Sequence, residues 1–368
     1  MGLLNQEKTV RPLDINMHYI TAKRVFTGIE WLGPVKITCQ NDVIRSIEPI
    51  AEEQVTTFDS GFLCPAFIDL QVYGGKGILF SNHQTVDAIQ ATYDEHSKSG
   101  TEFFQITLNC SPDTSIYKAI EAARQYQEEG RPGLLGLHLE GPFFNPTRRG
   151  AHKEEFVQKP SKQLIDEILY LAGDLRIYMT IAPEMFDEQL LDYIIQSPII
   201  CSIGHSDATQ EQVENAFSKG INKITHLFNA QSQWQSRAMG IVGTSLLHEE
   251  IWASIIVDGL HADFGSVKLA KELKRNRLFL ITDAVTDDLS GPYHFAKKDG
   301  RFTNDQGTLS GSALTMHEAI VNCVKNVGID LEEAIRMASL YPAQVIGLEH
   351  EIGSLEVGKK AKFYHWKE

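Results

Sequence analysis

From about residue 61 onwards, short apolar runs alternate with longer amphipathic stretches. The runs fall at 66–72, 103–108, 134–139, 177–181, 199–204, 221–225, 252–257 and 278–282. Helical periodicity fills most intervals, as at 85–99, 113–128, 162–172, 209–219 and 264–274. Apolar runs of this length, bounded by Gly, Pro or polar clusters, are the pattern of strands buried on both faces of a parallel sheet. Eight of them interleaved with helices predict an α/β protein with a (β/α)8 TIM-like barrel, in preference to an open doubly wound sheet. No GxGxxG follows the first run and no GKS or GKT occurs, so nucleotide binding has no local support. Before residue 61 the pattern changes to short alternating segments at 19–22, 23–26, 35–38 and 43–47. Turn signals at Thr27-Gly28, Leu32-Gly33-Pro34 and Asn41-Asp42 separate them. The last residues resume this style at 353–355 and 361–366. The expectation is a small β-sandwich built from 1–60 plus 350–368, and a catalytic barrel over 61–349.

Four of the apolar runs end in a side chain that binds metal or moves protons: Glu140, His205, His226 and Asp283. In a parallel barrel the active site collects at the carboxyl ends of the strands, so these four are expected to converge. Taken singly, Glu140 reads more readily as a cap or salt-bridge partner, and each histidine as a satisfied structural group. Together, one carboxylate and two imidazoles form a familiar catalytic zinc set that leaves a position open for water. A carboxylate beside such a metal-activated water can take its proton and return it to a leaving amine, which suits Asp283. Its competing role is as a further ligand or an orienter of one. No GxSxG nucleophile elbow is present. Arg237, Asn229 and His261 could form an anion cradle.

Composition narrows the setting. The 368 residues are 42% hydrophobic and 22% charged, with a formal net charge of −14. That balance argues against nucleic acid or an anionic membrane as partner, and an anionic substrate would need a local cluster. The five cysteines are scattered without a CxxC pair, so they read as small buried hydrophobes in a reducing compartment. No apolar stretch approaches the roughly 20 residues of a membrane helix. The N-terminus lacks a signal-peptide core and the Ser/Thr of the myristoylation pattern. A cytoplasmic enzyme is expected.

Several segments resemble one family: Pro65 through Gln71, His138-Leu139-Glu140-Gly141-Pro142, Gly204-His205-Ser206 and Thr225 through Ala230. Asp258-Gly259-Leu260-His261, Thr282-Asp283-Ala284 and Gly307 through Ser312 continue the match in order. The chain resembles the N-acetylglucosamine-6-phosphate deacetylase family of the amidohydrolase superfamily. The resemblance implies a barrel with a flanking β-sandwich, assembled as a homodimer. It implies that Glu140, His205 and His226 hold a divalent metal ion, Zn2+ first, with Fe2+, Co2+ or Mn2+ as alternatives, and that Asp283 is the acid/base. Ala151 and His152 would contact the sugar, and Asn229, Ala230 and Arg237 the phosphate. His261 would be contributed across the dimer interface, and Leu309, Ser310 and Gly311 would enclose the acetyl group. The implied reaction releases acetate from N-acetyl-D-glucosamine 6-phosphate.

This chain departs from the pattern in places. Many amidohydrolases carry HxH after the first strand and use it for a second metal, whereas here the positions read Gln71-Val72-Tyr73, which favours one metal. Gln71 and Tyr73 become candidate pocket residues, and Tyr73 stands where a small polar residue is more usual. The run 231–236 differs from the Met-containing loop typical before Arg237, so the phosphate end is the least defined part. Two rivals follow: an amidohydrolase for another N-acetyl-hexosamine phosphate or N-acyl compound, and a non-catalytic scaffold. Competent residues at all four key positions argue against the scaffold.

Overall fold

The eight apolar runs pair into one parallel sheet in a computed structural model that describes residues 17–298, 300–304 and 307–367. In chain order the strands are β1 (Phe67–Val72), β2 (Thr101–Leu108), β3 (Leu134–Glu140), β4 (Ile177–Ile181), β5 (Ile200–Ile203), β6 (Lys223–Ile224), β7 (Trp252–Ile255) and β8 (Leu278–Leu280). Each lies beside its sequence neighbour. The ring closes where Asp283 N–H donates to Gln71 O at 3.0 Å and Tyr73 N–H donates to Ala284 O at 2.9 Å. Burial on both faces explains why the runs are mostly apolar: every residue of β1, β4, β7 and β8 is buried, including the few polar ones such as Asp69, Gln71 and Thr180. β6 and β8 are shorter than their apolar runs, because the chain turns off the ladder just before His226 and Asp283.

Helices follow the strands, and most begin where a side-chain oxygen can cap them. Thr85, Ser161, Asp187, Thr209 and Asp263 each accept from a first-turn N–H. Such caps contribute about 1 kcal/mol each. Thr209 also completes a capping box with Gln212. Gly240–Leu247 is almost wholly buried, so no amphipathic stripe marked it in the sequence. Among the described residues, no helix is long and apolar enough to cross a membrane. All five cysteines are free and buried.

The early alternating segments form a three-stranded sheet of Met17–Ala22, Val35–Gln40 and Val43–Pro49. A second sheet of four strands joins both ends of the chain: Phe363–Trp366 pairs with Phe62–Pro65, which neighbours Val25–Phe26 and then Trp31–Leu32. Ile37, Cys39, Ile44, Leu63 and Leu355 share an apolar cluster with Ala22, Val25 and Val35. Residues 353–355 are not a strand; Leu355 N–H donates to Thr27 O at 2.8 Å. The N-terminal positions read for a leader or lipid signal lie outside the described residues.

Candidate active site

The strand-end side chains do meet. Glu140 closes β3, and His205, His226 and Asp283 follow within three residues of β5, β6 and β8. The last three adopt left-handed backbone, with φ of 48°, 36° and 56°. For a residue with a Cβ this costs on the order of 1–2 kcal/mol, and such strain persists where surrounding structure enforces it, commonly at functional sites. Here Ser254 Oγ fixes His226 N–H at 2.7 Å, and Asn145 N–H fixes His205 O at 2.9 Å. The bend ends the alternation of the strand and lets each side chain reach the barrel mouth.

Glu140 Oε1 lies 3.2 Å from His205 Nε2 and 3.0 Å from His226 Nε2, and the two imidazole nitrogens are 3.0 Å apart. All three residues are buried. His205 Nδ1 faces the Arg148 carbonyl at 2.9 Å. A carbonyl only accepts, so Nδ1 carries the proton of the neutral ring and Nε2 is bare. Burial lowers the His205 pKa to about 4, which keeps the ring neutral near pH 7. Burial alone would raise the Glu140 carboxyl; the adjoining His152, then His205 and His226, outweigh it and hold Glu140 well below its usual range. A bare nitrogen and a carboxylate oxygen at 3.2 Å repel unless a cation sits among them. The donor set therefore fits a divalent metal of the zinc type.

Beneath the cluster the barrel interior is polar. His138, to which sequence reading gave no role, places Nδ1 3.1 Å from Leu70 O and Nε2 2.8 Å from Thr180 Oγ1. Thr180, Thr225 and Ser202 continue the chain of hydroxyls. Beside the cluster, Gln71 Nε2 donates to Glu140 Oε1 at 2.9 Å and to Asp283 Oδ1 at 2.7 Å. Burial, then the Glu140 charge, push the Asp283 carboxyl up to about 7. Asp69 accepts from Gln71 N at 3.1 Å, from Thr282 N at 3.3 Å and from the Thr282 hydroxyl, tying β1 to the chain just before Asp283.

A cavity of ≈ 170 Å³ opens onto these groups. Tyr73, Ala151, His152, Asn229, Ala230, His261, Leu309, Ser310 and Gly311 line it along with the ligand set and Asp283. Gln71 is buried behind it. A second space of ≈ 320 Å³ adjoins, sharing Ala151, His152 and Phe295 and bringing Arg149, Lys153 and His294. His261 lines the cavity of its own chain, with Asp258 Oδ2 2.7 Å from its Nδ1. Arg237 does not line the cavity: residues 233–238 are exposed, and the turn closed between Gln235 and Ala238 at 2.7 Å carries it outward. Sequence reading missed Asn109 and Phe295, which also line the cavity. Asn109 directly follows β2, so the strand-end rule could have found it; Phe295 lies on the irregular stretch after β8 and carried no signal.

A closed parallel barrel with a Glu/His/His cluster and a carboxylate at its carboxyl end defines a hydrolase with a candidate metal centre. The amidohydrolase family pattern matches residues 62–368. The chain is 34% identical over 351 residues to an N-acetylglucosamine-6-phosphate deacetylase of Haemophilus influenzae, covering 92% of each. It is 31% identical to an N-acetylgalactosamine-6-phosphate deacetylase of Escherichia coli O157:H7, over 94% of this chain and 93% of that one. A solved N-acetylglucosamine-6-phosphate deacetylase from Pasteurella multocida superposes with a TM-score of 0.89 at 33% identity, covering 95% of both chains. The chain belongs to the amidohydrolase family and, within it, to the N-acetylglucosamine-6-phosphate deacetylases.

Proposed function

We propose that this hydrolase converts N-acetyl-D-glucosamine 6-phosphate to glucosamine 6-phosphate and acetate. The observation that carries the reading is the convergence of Glu140, His205 and His226 within 3.0–3.2 Å, in one cavity with Asp283. Those three residues would hold one divalent ion, zinc by preference of an N/N/O donor set. Such an ion supplies Lewis acidity toward the amide carbonyl and lowers the pKa of water. The remaining work falls to the chain. Asp283 accepts a proton from the attacking water and returns it to the departing sugar amine. A carboxyl raised to about 7 suits both halves of that exchange near neutral pH. Gln71 occupies Oδ1 of Asp283 and leaves Oδ2 for the proton. Asn229, the Ala230 backbone and His261 line the cavity and would meet the phosphate; Ala151 and His152 would meet the sugar, and Leu309 to Gly311 the acetyl group. The homodimer remains part of this reading, supported by the outward-facing Arg237 and by Trp234, 54% exposed beside it.

The relative acting on N-acetylgalactosamine 6-phosphate favours a second reading in which the C4 epimer is preferred. Acetate release from both epimers, each with and without the 6-phosphate, separates the two. Comparable turnover of unphosphorylated N-acetyl sugars would overturn both.

A further inference from the structure

Tyr73 stands two residues past Gln71, buried yet lining the cavity, and its hydroxyl contacts both Glu140 and Gln71. The directions of these hydrogen bonds are fixed by their partners. Gln71 Nε2 faces two carboxylates, which only accept, so its amide nitrogen is correctly placed there. Its two hydrogens serve those groups, and an amide nitrogen has no lone pair to accept with, so it takes no proton from the Tyr73 oxygen 2.8 Å away. The phenol proton is then committed to Glu140 Oε2. His152 acts on the same oxygen. Its Nδ1 accepts Cys110 N–H at 3.2 Å, so its proton sits on Nε2, 3.0 Å from Glu140 Oε2. Its one lone pair is thereby taken, and it has no free nitrogen for a metal.

The two oxygens of Glu140 are thus divided. Oε1 faces His205 and His226 and accepts from Gln71, and Oε2 is saturated by Tyr73 and His152. We propose that Tyr73 is a positioning residue that presents Glu140 to metal through Oε1 alone and fills the place a second cation would need beside Oε2. The proposal rests on Glu140, His205 and His226 being the ligands. It goes beyond the lack of an HxH pair, because it gives the phenol an active role in holding the first metal.

The test measures Zn2+ binding to the full chain, by elemental analysis after saturation and by competition with a chromophoric chelator. Wild-type protein should take up one equivalent. Tyr73→Phe deletes one oxygen and should still bind one equivalent, with affinity weakened about 10- to 100-fold, as orienting partners of metal ligands typically cost. The double variant Gln71→His, Tyr73→His restores ring nitrogens at both positions and removes the phenol, and should take up two. Wild-type affinity and stoichiometry in Tyr73→Phe would overturn the proposal. So would two equivalents in the wild type, or one in the double variant. His226→Ala keeps the two ideas apart: if it binds Zn2+ as the wild type does, the ligand assignment fails, whatever Tyr73→Phe does.

Discussion

Asp283→Asn tests the acid/base role most directly, because the structure predicts opposite effects on activity and stability. The amide is nearly isosteric, and its oxygen can keep the hydrogen bond from Gln71 Nε2 at 2.7 Å. What disappears is a buried group able to accept and return a proton, worth about 10²- to 10⁴-fold in turnover. The ligand set is untouched, so metal content should stay near that of the wild type. Stability should move the other way. Burial and the Glu140 charge raise the Asp283 pKa from 3.8 to about 7 in the metal-free protein. An acid whose folded pKa is raised imposes a penalty on the folded state once pH exceeds its unfolded value, and the penalty is complete above the folded one. The penalty is on the order of a few kcal/mol at pH 8 and smaller at pH 5. Metal-free Asp283→Asn should therefore melt higher than metal-free wild type, with the larger gap at pH 8. The assays are acetate release, elemental analysis and thermal unfolding at the two pH values. Loss of metal together with activity would make Asp283 a ligand, and unchanged turnover, or a lower melting temperature at pH 8, would refute the reasoning.

Three further outcomes follow from particular contacts. Thr282→Val removes the hydroxyl donated to the buried Asp69 carboxylate, which should cost about 2–3 kcal/mol; since burial raises the Asp69 pKa to about 6, the loss should be larger at pH 8 than at pH 5 in thermal melts. Gly311→Ala places a Cβ 2.4 Å from Val285 Cγ1 and 3.0 Å from Asp283 O, at a φ of +68°; kcat/KM should drop at least about 10-fold as the loop shifts from Asp283, and wild-type kinetics would show that the loop does not enclose the acetyl group. Because Arg237 points away from its own cavity, it can meet phosphate only across a homodimer: sedimentation velocity should report a dimer for the wild type, and Arg237→Ala should raise KM for the phosphorylated sugar with little change in kcat; an unchanged KM would remove Arg237 from phosphate recognition.

Much of the barrel was legible because strands buried on both faces are mostly apolar, with few interior polar groups such as Asp69, His138 and Thr180, and each run gives way to a polar side chain at its carboxyl end. That rule located Glu140, His205, His226 and Asp283, and it would have located Asn109. It was blind to Gly240–Leu247, whose nearly uniform burial leaves no amphipathic stripe, and to Phe295, which lies outside any strand. It also could not see where Arg237 points, since a four-residue turn sets that direction.

The sequence by itself determined the order of strands, the four chemical side chains at their ends and the loss of an HxH pair at Gln71 and Tyr73. These are one-dimensional facts, written in which positions water may reach. Only the tertiary structure decided how those side chains meet. Left-handed backbone at His205, His226 and Asp283 turns them inward, and His261 lines the cavity of its own chain. The two oxygens of Glu140 are shared between the imidazole pair and a phenol that lies 67 residues away in sequence. Hydrogen-bond direction depends on which groups closure of the barrel brings within about 3 Å, and no local pattern records that.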